Sequence, residues 1–268
     1  MGDLHTLREG QGPLIINVPH AGTFVPDDIL ARMTEEARQL PDTDWFVDRL
    51  YAFATGLDAT ILKANASRFV IDLNRDPYGT SLYPGQATTG LVPTELFDGT
   101  PVYADAAPDE DEIEKRRWTW FDPYHKQLSE QIARVRAIHG YAVLYDAHSI
   151  ASNVPRLFEG ELPVLNLGTN DGQSCDTSVA RAVMQVMLDQ DDYETVANGR
   201  FKGGWITRTY GTPRHNIHAL QMELAQRAYM DETTTNYDEA AAAKLQPLLK
   251  DILQAAVDAA DQLHWEPA

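Results

Sequence analysis

The sequence predicts a three-layer α/β protein, with helices on both faces of a central sheet and residues 1–268 forming one domain. Three observations carry that prediction. Short, branched apolar runs alternate along the whole chain with stretches of helical periodicity. No repeat, low-complexity tract or linker interrupts them. With 43% apolar residues, 268 residues are enough to bury a sizeable core.

The elements follow in order. Leu14 to Val18 (LIINV) reads as a buried strand that stops in the loop Pro19-His20-Ala21-Gly22. Asp27 to Leu40 and Thr43 to Leu57 read as helices. The second opens on the cap-type residues Asp42, Thr43 and Asp44, and keeps Phe46, Leu50, Phe53 and Leu57 at helical spacing. Ala59 to Lys63 and Phe69 to Leu73 read as strands. Residues 74–109 hold five prolines and four glycines and read as one long loop, a length that points to function. Asp111 to Phe121 and Tyr124 to His139 read as helices separated at Pro123, the second ended by Gly140. Tyr141 to Tyr145 and Val164 to Leu167 are strands. Thr177 to Leu188 is a helix capped by Asp176, with Val179, Val183, Val186 and Met187 facing inward. Trp205 to Thr209 and Ala219 to Met222 are strand-like, and Asp238 to Leu263 is a helical tail.

Composition excludes several functions. Lys and Arg number 22 against 40 Asp and Glu, a formal charge of −18, which argues against a partner that presents a phosphate backbone. The single cysteine, Cys175, excludes a disulfide framework and a zinc ribbon, and reads as an inert thiol. No run approaches the roughly 20 apolar residues of a membrane span, and residues 1–12 lack the apolar stretch of a secretory signal. The expectation is a soluble, cytoplasmic protein without nucleic-acid or membrane partners; a homo-oligomer is compatible with it. G-x-S-x-G, Walker and G-x-G-x-x-G patterns are absent, which removes support for a serine hydrolase or a nucleotide site.

The chemistry-bearing residues cluster at predicted strand ends, where open α/β sheets bind ligands. Strand 14–18 runs into His20, strand 69–73 into Asn74 and Arg75, strand 141–145 into Asp146 and His148, and strand 219–222 into Glu223. His20 and His148 are candidate metal ligands, although each alone reads equally as a satisfied polar residue beside a turn. A catalytic zinc needs a third ligand, and Asp42 or Asp44 at the helix start can supply a carboxylate. Arg68 and Arg75 flank one strand and are natural partners for carboxylates. Glu223, in an apolar context, should have a raised pKa suited to a general base, or be paired with an arginine.

The segments NVPHAG (17–22), DTDWFVDRLY (42–51), SRFVIDLNRDP (67–77), DAHS (146–149), GTNDG (168–172), GGWITRTYG (203–211) and HALQMELAQRAYMDE (218–232) together resemble the N-formylglutamate amidohydrolase family. The resemblance runs in order from about residue 13 to 235. It implies kinship with the zinc carboxypeptidases and aspartoacylases, and so an αβα fold around a central mixed, mostly parallel sheet. It also implies one Zn2+ per chain held by His20, His148 and a third ligand carried onto Asp44, with Asp42 as its rival. The carboxypeptidase H-x-x-E pattern is missing here, since Thr23 stands three residues after His20.

By the same likeness Arg68 stabilises the oxyanion, Asn74 and Arg75 grip a substrate carboxylate, and Glu223 is the catalytic carboxylate. The implied reaction is hydrolysis of N-formyl-L-glutamate to formate and L-glutamate, the last step of one route of histidine degradation. Such a substrate, a small N-acyl amino acid, carries two carboxylates. Arg75 takes one, and Arg208, ahead of Arg156 and Lys202, is expected to take the other. The alternatives are hydrolysis of another N-acyl amino acid, such as N-acetyl- or N-formylaspartate, and a non-catalytic module that binds metal or acid.

Overall fold

The computed structural model describes residues 4–80, 85 and 88–264. Its centre is a seven-stranded sheet built from β1 (His5–Arg8), β2 (Leu14–Val18), β3 (Thr60–Ala64), β4 (Ala142–Ile150), β5 (Leu165–Gly168), β6 (Thr195–Ala197) and β7 (Ile217–Ala225). The spatial order is β1-β3-β2-β4-β7-β5-β6. The β2/β3, β2/β4, β4/β7 and β5/β6 pairs are parallel, whereas β1/β3 and β5/β7 are antiparallel. The sheet is therefore mixed and mostly parallel, as expected.

The helices are α1 (Asp27–Leu30), α2 (Glu35–Arg38), α3 (Val47–Leu50), α4 (Glu110–Arg116), α5 (Asp122–His139), α6 (Thr177–Leu188), α7 (Trp205–Tyr210) and α8 (Glu239–His264). A small hairpin, β8 (Met230–Asp231) with β9 (Asn236–Tyr237), precedes α8. Among the described residues no helix is long and apolar enough to cross a membrane.

Period-two alternation divides the strands between two apolar layers. Leu14, Ile16 and Val18, Val143 and Tyr145, and Leu220 and Met222 pack on one side with residues of α6 and α8, among them Val179, Leu245 and Leu249. Ile15, Ala142, Leu144 and Ala219 pack on the other with Leu128, Ile132 and Val135 of α5 and with Phe69, Val70 and Ile71.

Several elements differ from the sequence reading, each for a local reason. Phe69 to Leu73 is not a strand: residues 67–70 form a turn closed by the Val70 N–H to Ser67 O bond (2.9 Å). The apolar side chains are buried all the same, and the backbone carbonyls of Phe69 and Val70 are satisfied by Arg116 Nη1 (3.3 and 3.1 Å) instead of a ladder. Trp205 to Thr209 is helix, not strand, because Asn74 closes its start: Asn74 Oδ1 accepts the Ile206 N–H (2.8 Å).

Pro123 does not break the chain into separate helices. Residues Arg117–Phe121 form a π turn between α4 and α5, with the Asp122 N–H reaching Arg117 O five residues back, so the wider turn absorbs the proline. The helix expected over Asp27 to Leu40 breaks into α1 and α2, where Thr34 caps α2 and its N–H pairs with Val102 O (2.9 Å). The helix expected over Thr43 to Leu57 is only α3 followed by a 3-10 segment, Tyr51–Leu57, and Phe46 before it is left-handed (φ 60°). Residues 81–84 and 86–87 of the expected 74–109 loop lie outside the described residues; the rest contains only isolated bridges before Asp109 caps α4.

Candidate metal centre and active site

The site grows from one face of the sheet. Along β4 the positions Ala142, Leu144, Asp146 and His148 share a face, and along β7 Ala219, Gln221 and Glu223 do the same. In both strands the first positions are apolar core and the later ones polar. Register sets Asp146 beside Gln221 and His148 beside Glu223, with Asn17 of β2 beside Asp146. These polar residues lie within the strands, not beyond their ends as the sequence suggested. His20 arrives two residues past β2. Asp44 comes from the turn before α3, and its N–H donates to His20 O (3.1 Å).

His20, Asp44 and His148 bring one ligand atom each to within 4.8 Å of one another, and all three are buried. The hydrogen bonds set the histidine tautomers. His20 Nε2 lies 2.8 Å from Asp72 Oδ1 and His148 Nε2 lies 2.9 Å from Asp146 Oδ2, so each Nε2–H donates to a carboxylate. That arrangement leaves both Nδ1 atoms facing Asp44 Oδ2, at 3.9 Å from His20 and 3.0 Å from His148, and makes them available as ligand atoms once His148 gives up the proton it donates to Asp44. Three electron-pair donors converging in a buried place call for a cation between them. The residues present therefore fit a divalent metal.

The titration directions set the two histidines apart: without a cation His148 holds a proton on each nitrogen, one toward Asp146 and one toward Asp44, and a metal ion would replace the second. Burial opposes charge on His148, yet Asp146 and Asp44 outweigh it and hold its pKa well above the ordinary value. His20 is pushed the other way by burial and by Arg68, which keeps its ring neutral. Asp42, the rival ligand, stands apart: its Oδ2 accepts the Phe97 N–H (2.8 Å), and burial pushes its pKa up to about 6.

Asp72 ties the cluster to the cationic side of the site. It receives Arg68 Nη2 on Oδ2 (2.7 Å) and the Asn74 N–H on Oδ1 (2.9 Å), while Arg75 Nη2 stands 3.7 Å away. Burial alone would raise its pKa; Arg75, His20 and Arg68 hold it well below the usual carboxylate range. Asn74 is fixed at both ends of its amide, with Nδ2 donating to Asp146 Oδ2 (3.2 Å) and Oδ1 holding α7. Gly204 must be small here, because a Cβ on it would stand 2.4 Å from that amide. Arg75 is anchored to Thr89, through Nε to the backbone carbonyl and Nη2 to the hydroxyl (both 3.0 Å).

One cavity collects these groups. Its lining includes His20, Asp44, Arg68, Asn74, Arg75, His148, Gln221 and Glu223, together with Thr88 and Thr89 of the long loop and Ile150, Leu157, Arg200 and Phe201. The Glu223 carboxyl accepts a long bond from Gln221 Nε2 (3.3 Å), and burial pushes its pKa up to about 8, against the pull of His148. That is the raised value expected of a carboxyl in an apolar setting.

The fold thus brings together His20, Asp44, His148, Arg68, Asn74, Arg75 and Glu223. Arg208 does not line the cavity; its Nε donates to Gly203 O (2.8 Å) within its own loop. Arg156 and Lys202 are directed to Glu95 and Asp171 instead. Asp72, Asp146, Gln221 and Arg200 are not among the site residues expected from sequence, although Asp146 is named there with His148 at the end of its strand. The first three carry a signal in the sequence, since they sit two residues from Asn74, His148 and Glu223 respectively. Cys175 is buried, with its thiol pushed up to about 12, which fits an inert residue.

The sequence model of the N-formylglutamate amidohydrolase family matches residues 12–230. The chain belongs to that family. It is 46% identical over 259 residues to an N-formylglutamate deformylase of Pseudomonas aeruginosa, covering 94% of this chain and 97% of that one. It is 47% identical over 257 residues to the deformylase of Pseudomonas putida, covering 95% and 96%. Among solved structures it resembles an N-formylglutamate amidohydrolase from Ralstonia eutropha, with TM-score 0.78, 26% identity and coverage of 97% and 98%. A gene product of Agrobacterium tumefaciens shares the fold at TM-score 0.70, with 19% identity and coverage of 94% and 96%. The α/β fold with its mixed central sheet is therefore the fold of the N-formylglutamate amidohydrolase family.

Proposed function

We propose that the protein is a Zn2+-dependent amidohydrolase that cleaves N-formyl-L-glutamate to formate and L-glutamate. Residues 1–268 act in this reading as one cytoplasmic catalytic unit of zinc-carboxypeptidase-like layout, with one metal per chain. The observation that carries it is the buried His20, Asp44 and His148 cluster, with Glu223 beside His148 across the β4/β7 ladder in the same cavity. Two imidazole nitrogens and one carboxylate oxygen suit Zn2+ with an open position for water. Family membership and relatives named for this deformylation supply the reaction class.

The metal, when bound, supplies a Lewis acid that acidifies water and polarises the formyl carbonyl. Glu223 accepts the proton of the water that adds to the formyl carbon. It returns that proton to the amide nitrogen as the C–N bond breaks, which releases formate and the amine of L-glutamate. Burial holds the Glu223 pKa up to about 8, against the pull of His148, close enough to neutral pH for its carboxyl both to take a proton and to give it back. Arg68, lining the same cavity, offers its guanidinium to the oxygen on which negative charge builds. Asn74 and Arg75 hold the substrate's α-carboxylate.

The test is formate release from N-formyl-L-glutamate by zinc-loaded protein beside a chelated sample. Metal-dependent release is the expected result. Protein shown to hold zinc that releases no formate overturns the proposed reaction.

A further inference from the structure

Among the described residues three arginines line the cavity, in a chain with 22 basic residues against 40 acidic ones. Two of them belong to the metal side: Arg68 is bound to Asp72, and Arg75 follows Asn74, whose Nδ2 lies 3.0 Å from His148 Nε2. Arg200 comes from a different wall, the segment between β6 and α7. Its Nε donates to Leu157 O (2.7 Å), which fixes the start of the guanidinium, and its Cζ lies 5.4 Å from the centre of the Phe201 ring. Ile150, Leu157 and Phe201 also line the cavity and pack in one apolar cluster.

The chemistry of the substrate asks for that order. With the formyl carbon at the metal cluster, an α-carboxylate is only one carbon from the amide nitrogen, which suits Arg75 on the metal side. A side-chain carboxylate lies beyond two methylenes. The methylenes gain from an apolar wall, and the carboxylate needs a cation past it. We propose that Arg200, beside the apolar cluster of Ile150, Leu157 and Phe201, binds the side-chain carboxylate and sets the preference for an acidic side chain. The assignment deepens the reading of the reaction given above and rests on it for the orientation of the substrate.

The test compares N-formyl-L-glutamate with N-formyl-L-glutamine, alongside binding of L-glutamate and L-glutamine to the zinc-loaded protein by calorimetry. In Arg200→Gln, kcat/KM for the glutamate substrate should fall about 100-fold, mainly through KM, and that for the glutamine substrate by less than about 3-fold. Arg200→Lys should fall between, because it keeps the charge and loses the planar fork. Equal losses on both substrates would assign Arg200 a structural role and overturn the proposal, as would an unchanged preference. The two claims separate by readout. Wild-type protein that prefers L-glutamate over L-glutamine, loses that preference in Arg200→Gln and releases no formate keeps the specificity residue and overturns the reaction. Formate release with unaltered preference in the variant keeps the reaction and overturns Arg200.

Discussion

Replacing Asp72 with asparagine removes a charge on which His20 Nε2 (2.8 Å), Arg68 Nη2 (2.7 Å), the Asn74 N–H (2.9 Å) and, more distantly, Arg75 Nη2 (3.7 Å) converge. The side chain is fully buried, so solvent cannot take over any of these roles. Removing one partner from a buried ion pair costs about 3–5 kcal/mol, because the remaining charge stays desolvated. Arg68 keeps the Asp42 carbonyl at 3.2 Å and Asp44 at 3.5 Å, which argues for the lower end, about 3 kcal/mol. For a chain of this size that is a fall in Tm of roughly 5 °C in the metal-free protein. A second effect acts on the metal. Asparagine is a weaker acceptor for the His20 Nε2–H, so the ring is held less firmly with Nδ1 toward the cluster, and zinc affinity should fall about 10–100-fold. Thermal unfolding of metal-free protein measures the first effect, and competition with a chromophoric chelator at pH 7 the second. The wild-type contribution of Asp72 is present above the ordinary aspartate pKa and is lost as pH falls toward its lowered value, so both experiments belong at neutral pH. An Asp72→Asn protein with wild-type Tm and zinc affinity within about twofold would refute the view of Asp72 as the hub of the site.

Glu223→Gln should cut kcat for formate release by about 10²–10⁴, as loss of a general acid–base does, while zinc affinity changes by less than about tenfold; an active variant would remove Glu223 from the proton transfers. His125 supplies a pH dependence away from the metal cluster. Burial holds its pKa down to about 4, despite the bond to Leu73 O, so between pH 6.5 and 4 the unfolded chain takes a proton that the folded one refuses. Stability should therefore fall as pH falls through that window, by about 1.4 kcal/mol per pH unit from this residue. Urea unfolding across pH 4 to 7 should show a shallower acid slope for His125→Gln, and identical slopes would contradict it.

Where a local pattern decided the structure, the sequence could be read directly. The strand Leu14 to Val18 and the Asp176-capped helix ending at Leu188 have the predicted bounds, because apolar periodicity and a cap are local facts. The failures are long-range. Phe69 to Leu73 has the composition of a strand, but Arg116, more than forty residues on, takes the carbonyls that a ladder would have used. Trp205 to Thr209 is helical because Asn74, 132 residues earlier in the chain, holds its first turn. The sequence reading prefers Arg208 and does not weigh Arg200, since which of them lines the cavity depends on the course of the chain between β6 and β7 and not on a local pattern. Strands β4 and β7 were underestimated for a different reason. The expected strands stopped at Tyr145 and Met222, where polar residues begin, yet the same-face alternation continues: Asp146 and His148 after Ala142 and Leu144, Gln221 and Glu223 after Ala219. An exposed strand would have no use for polar residues on a face that begins as core. Carried past the last apolar residue, that period of two marks a strand whose core face has become a site, and it pairs each metal-side group with its neighbour: Asp146 with Gln221, His148 with Glu223.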